Sequence, residues 1–122
     1  MKFVLIFINK YWILLSIVFI FIISFLSLWP IDKLPSVPGT DKTHHILAYA
    51  ILVMPTAIRK PKNWIHICLL FIAYSGAIEL LQPYVNRHGE LLDMIANTTG
   101  VIAGTLLSNL LTRLKPIPLN NN

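Results

Sequence analysis

The chain has 122 residues, 56% of them hydrophobic and 12% charged, with a net charge of +5 and a mean hydropathy of +0.70. A soluble domain of this length cannot hide that much apolar surface in one core, so the bilayer is the expected solvent and a single domain over residues 1–122 the expected unit. The lone cysteine, Cys68, excludes a disulfide framework and a paired-cysteine metal site.

In chain order, Lys2 and Lys10 precede a first apolar segment, 12–28, an almost unbroken run of Ile, Leu, Phe and Val. Tyr11, Trp12 and Trp29 bracket it as interfacial anchors. It ends in Ser27-Leu28-Trp29-Pro30, without the small-x-small pattern of a cleavage site, so an uncleaved anchor is expected. The second segment, 42–58, is opened by Asp41 and is apolar only in its second half. The third, 64–82, is apolar until Glu79, and the fourth, 91–111, carries Asp93 and Asn97 at its start and is apolar afterwards. Each segment is long enough for a spanning helix, and no alternating barrel pattern is present. The expected fold is all-α, an integral membrane four-helix bundle.

With both termini in the cytoplasm, Lys2, Lys10, Arg59, Lys60, Lys62, Arg113 and Lys115 lie inside, and Lys33, Lys42 and Arg87 outside. Seven against three follows the positive-inside rule. The acids Asp32, Asp41, Glu79, Glu90 and Asp93 all fall on the outer side. The positive charge is spread over short loops without a basic helix or interleaved aromatics, so it suits anionic headgroups and needs no nucleic-acid partner. Asn120-Asn121-Asn122 is expected to be a frayed tail.

The outer ends of the last three segments are polar. Asp41, His45 and Tyr49 recur every four residues on one helix face, Glu79 and Gln82 share another, and Asp93, Asn97, Gly100 and Gly104 cluster on a third. Arg87, in the short connection before the fourth segment, can reach any of them. Antiparallel order brings these ends to one level, predicting a polar pocket built from three helices. Some members also suit plainer roles: Asp41 and Asp93 as helix-start acids, Lys42 snorkelling to headgroups, and Gly100 and Gly104 allowing close packing. Glu79 sits a turn inside its segment, where an ionisable group is costly unless paired or hydrated, and is a functional candidate by default.

The pattern DKxxHxxxY, then ExxQ, then RxxxxxDxxxNxxGxxxG resembles the VanZ-like family of small bacterial membrane proteins. Here it is carried by Asp41, Lys42, His45 and Tyr49, by Glu79 and Gln82, and by Arg87, Asp93, Asn97, Gly100 and Gly104. The resemblance implies a multi-pass protein of the bacterial cytoplasmic membrane, in a family named for teicoplanin resistance.

Three functions remain open. A binding protein would engage an envelope lipid headgroup or a cell-wall precursor, with Arg87 and Lys42 holding phosphate or carboxylate. A membrane enzyme acting on an outer-leaflet lipid or glycan carrier would use His45 as acid/base, with Asp93 and Glu79 as carboxylates. A structural clamp would use the same groups to fix helix pairing. His45, Glu79 and Asp93 could reach one divalent ion. No His-Glu-x-x-His motif is present, however, and neither a metal nor another cofactor is expected.

Overall fold

A computed structural model describes residues 1–29, 41–85, 87 and 89–117. The expected outer charges Asp32 and Lys33, the residue His88 and the tail 120–122 lie outside the described residues. All regular structure among the described residues is helical. It comprises α1 (Lys2–Lys10), α2 (Trp12–Leu28), α3 (Asp41–Arg59), α4 (Trp64–Leu81) with a 3₁₀ turn (Gln82–Val85), and α5 (Leu91–Leu114).

Two helical stretches, Trp64–Val85 and Leu91–Leu114, are each long and apolar enough to cross a membrane. The pair α1 and α2 passes the same test only together, and it bends by 83° at Tyr11. α1 is therefore a separate short helix rather than a featureless leader. It buries Leu5 against Ile58 and Ile117 and turns Phe3 and Phe7 outward. Its buried Asn9 accepts a hydrogen bond from Arg59 Nη1 at 3.2 Å, which ties α1 to the end of α3. α3 is less apolar than a lipid-facing helix, because its first turns hold Asp41, Lys42, Thr43, His44 and His45.

The position of α3 accounts for that polarity. It packs against α1, α2, α4 and α5, most extensively against α5. Tyr49, Leu52, Val53, Thr56, Ala57 and Ile58 are all buried along it, and Tyr49, Leu52 and Val53 join Ile23, Phe71 and Val101 in the main core. A helix enclosed by its neighbours need not present an apolar surface to lipid. α3 stops where Lys60 takes a left-handed φ of 48° and Pro61 follows, a terminator that cannot continue the helix.

The α3–α5 contact has almost no space between backbones. A Cβ on Gly100 would overlap the Ile46 carbonyl, and one on Gly104 would lie 2.5 Å from the Ala50 oxygen. Small residues let helices approach this closely. The hydroxyls of α5 do not interfere, because Thr98, Thr105, Ser108 and Thr112 each donate to the carbonyl four residues earlier. On the other flank, Tyr74 Oη of α4 donates to Ile20 O at 3.2 Å and pairs with Ser24 Oγ, joining α4 to α2.

Gly100→Ala and Gly104→Ala are expected to destabilise the detergent-solubilised protein by about 1–3 kcal/mol each, the usual cost of overpacking. Gly76→Ala is expected to stay within about 0.5 kcal/mol, since its Cβ would meet only the mobile end of Met94, at 3.2 Å. Thermal unfolding followed by circular dichroism distinguishes the three.

Candidate functional site

The tight α3–α5 seam sets His45 against one face of α5. Asp93 and Asn97 stand one turn apart on that face, both buried. Asn97 Nδ2 donates to Ser75 Oγ on α4 at 3.1 Å, and its Oδ1 lies 2.8 Å from His45 Nδ1. With the amide assigned in that orientation, His45 Nδ1 carries a proton and donates to Asn97. Nε2 lies 3.8 Å from Asp93 Oδ2. The other oxygen, Asp93 Oδ1, accepts from Lys42 Nζ, which also donates to Glu90 Oε2 at 2.9 Å. Asp93 is only 3% exposed, so its charge depends on that pairing. Lys42 itself is partly exposed and reaches the buried acid from the rim.

Glu79 approaches the same point from α4. Its Oε2 accepts from the Glu90 backbone N–H at 3.3 Å, whereas Oε1 is buried with no hydrogen-bond partner. His45, Glu79 and Asp93 each offer a nitrogen or oxygen, all within 4.8 Å of one another. Tyr49 Oη and Gln82 Oε1 are also buried without partners. Such groups are uncommon in folded proteins, since each loses its hydration without a replacement. Thr56 Oγ1 and Asn109 Oδ1 also lack a partner, toward the other ends of α3 and α5, so the feature is not confined to this end of the molecule.

Arg87 and the amide of Gln82 point elsewhere. Arg87 Nη1 donates to Trp29 O at 3.1 Å and to Leu26 O at 3.4 Å, and Gln82 Nε2 donates to Ser27 O at 3.2 Å. These are the carbonyls that the end of α2 leaves without intrahelical partners, and a cation there also meets the negative end of the helix dipole. α2 thus contributes to this end of the molecule through its backbone, although its sequence carries no ionisable side chain.

The structure brings together Lys42, His45, Glu79, Asp93 and Asn97 and sets Tyr49 and Gln82 beside them. Asp41 opens α3, but its side chain lies outside the described residues. Gly100 and Gly104 stand at the α3–α5 seam. Two contributors escaped the reading of the sequence: Ser75, which is fully buried and holds Asn97, and Glu90, which holds Lys42. Ser75 had a legible signal, since it lies one helical turn before Glu79 on the same face.

The model of the family VanZ/LLP1 matches residues 4–112, most of the chain. No curated protein and no solved structure matches the chain.

Ser75→Ala would leave the Asn97 amide buried without its acceptor, and is expected to cost about 1–3 kcal/mol of stability. Differential scanning calorimetry of the detergent-solubilised variant would show this as a lowered Tm. An unchanged Tm would mean that the Asn97–Ser75 bond contributes nothing.

Proposed function

The chain belongs to the VanZ/LLP1 family, and on that premise we propose that its pocket binds or modulates an envelope lipid or a cell-wall precursor, with an effect on glycopeptide susceptibility. In this reading all four long helices, α2 to α5, cross the bacterial cytoplasmic membrane, both termini are cytoplasmic, and the pocket opens on the outer side. The charge distribution supports that orientation through the positive-inside rule. The enclosure of α3 supports its crossing despite its polar start.

One observation carries the binding reading. Tyr49 Oη, Glu79 Oε1 and Gln82 Oε1 are buried without a hydrogen bond of normal geometry, on the helices that carry the polar network. A purely structural clamp gains nothing from polar atoms that bond to nothing, whereas a binding site gives each of them a partner when loaded. A ligand with hydroxyl, phosphate or amide groups and an apolar tail matches both the pocket and the lipid-facing helices around it.

The convergence of His45, Glu79 and Asp93 favours a second reading, an enzyme acting on an outer-leaflet lipid or glycan carrier. Asn97 would fix the ring of His45, and Nε2 would take or give the proton. Quantitative envelope profiling of a His45→Ala strain tests it, because an unchanged set of lipids and precursors argues against catalysis.

For the binding reading the informative variant is Tyr49→Phe. It deletes a hydroxyl that lies near Ser75 without a hydrogen bond of normal geometry, so thermal stability should stay within about 0.5 kcal/mol of wild type. Native mass spectrometry of the purified protein titrated with a polyprenyl phosphate or a phospholipid should show binding about tenfold weaker than wild type, the loss of one hydrogen bond at about 1.4 kcal/mol. Equal binding by both proteins would leave the clamp as the better account.

A further inference from the structure

We infer that His45, Glu79 and Asp93 form a binding site for one divalent transition-metal ion, of the zinc or manganese class, and that this ion receives the phosphate of the pocket's ligand. The inference rests on the binding reading above for its second half. The ion site itself stands on the protein alone, and it revises the expectation that no metal is held.

Cation chemistry at this end motivates the idea. A phosphate needs positive charge, and Arg87 and Lys42 were the residues expected to supply it. Arg87 is drawn to the carbonyls of Leu26 and Trp29, and Lys42 is held by Glu90 and Asp93. The described carboxylates here are Glu79, Glu90 and Asp93, so an incoming anion would meet more acid than base unless a further cation were present. A divalent ion between Glu79 and Asp93 changes that balance at the place where the buried acids are closest.

The donor set fits such an ion. One imidazole nitrogen and two carboxylates make a mixed nitrogen–oxygen site, suited to zinc or manganese rather than to an all-oxygen magnesium or calcium cage. Their ligand atoms lie within 4.8 Å of one another, and His45 Nε2 is 3.8 Å from Asp93 Oδ2. Bonds of about 2.0–2.2 Å to a shared ion place neighbouring ligands about 3–4 Å apart, so closure requires only small side-chain rotations.

An independent observation points to a missing partner. Glu79 is 9% exposed, its Oε1 makes no hydrogen bond of normal geometry, and the residue belongs to this cluster. The surroundings also match the support that metal ligands receive elsewhere. Asn97 accepts from His45 Nδ1, which turns Nε2 toward Asp93, and Ser75 fixes Asn97 in turn. Lys42 holds Asp93 Oδ1 and leaves Oδ2 toward the histidine. Three protein ligands leave coordination positions open for a phosphate oxygen. When bound, the ion would neutralise and orient that oxygen as a Lewis acid.

The test uses the full chain purified in detergent, stripped with a chelator and titrated with Zn2+ and then Mn2+ by isothermal calorimetry. Wild type should bind one ion per chain. Glu79→Gln, nearly isosteric, should bind at least tenfold more weakly with an unchanged helical circular-dichroism spectrum. Asn97→Ala, which removes the support of His45 together with the bond to Ser75, should weaken binding about 10–100-fold. Titration with a polyprenyl phosphate and with phosphatidylglycerol, each with and without chelator, should show ion-dependent binding and reveal which of the two phosphates is preferred. No ion in wild type, or equal binding by wild type and Glu79→Gln, overturns the metal site, while the Tyr49→Phe comparison still decides the pocket reading separately. Ion binding with phosphate binding indifferent to chelator overturns the bridging role.

Discussion

The site depends on how closely α3 and α5 approach. Gly100 and Gly104 bring the α5 backbone onto the carbonyls of Ile46 and Ala50. His45 immediately precedes Ile46, and Asn97 lies one turn before Gly100. The glycine contact therefore fixes the distance between the imidazole and the amide as a consequence of backbone packing. Asp93, a further turn back, meets Lys42 and His45 by the same register. Larger side chains at the glycines would separate the polar groups before they altered any of them chemically.

That packing also makes the polar residues tolerable. Ionisable groups in apolar surroundings are costly when alone. Here Asp93 is paired by Lys42, Lys42 reaches outward to Glu90, and Asn97 spans His45 and Ser75. α3, which carries the most polar start of the long helices, packs against α1, α2, α4 and α5. Arg87 and Gln82 anchor the connection before α5 to the end of α2, so the fourth wall is held by backbone carbonyls. Within this network, the oxygens of Tyr49, Glu79 and Gln82 are the ones without a hydrogen bond of normal geometry, and the proposed ligand would complete them.

Much of this was legible in the sequence, for physical reasons. The expected segments 12–28, 42–58, 64–82 and 91–111 fall on α2 to α5 nearly end for end, because apolar runs broken by Pro, Asn and Gly mark helix limits strongly. The spacings of His45 with Tyr49 and of Asp93 with Asn97 placed each pair on one helix face. Two features were not legible. The 83° bend at Tyr11 occurs within continuously helix-compatible sequence. The engagement of Arg87 with α2 uses carbonyls, which every residue has and no pattern reveals. The meeting of His45, Glu79 and Asp93, one residue from each of three helices, was by contrast expected from the antiparallel order of the polar helix ends.

In the proposed orientation the polar ends of α3, α4 and α5 face away from the cytoplasm, and side-specific labelling tests that proposal most directly. Tyr84, 86% exposed in the turn between α4 and α5, is replaced by cysteine in a Cys68→Ser background, and intact cells are treated with a membrane-impermeant maleimide. The account predicts labelling of intact cells, which puts the ends of α4 and α5 that carry Glu79 and Asp93 at the outer face. Labelling only after lysis would contradict it, turning the same residues toward the cytoplasm and toward a soluble ligand.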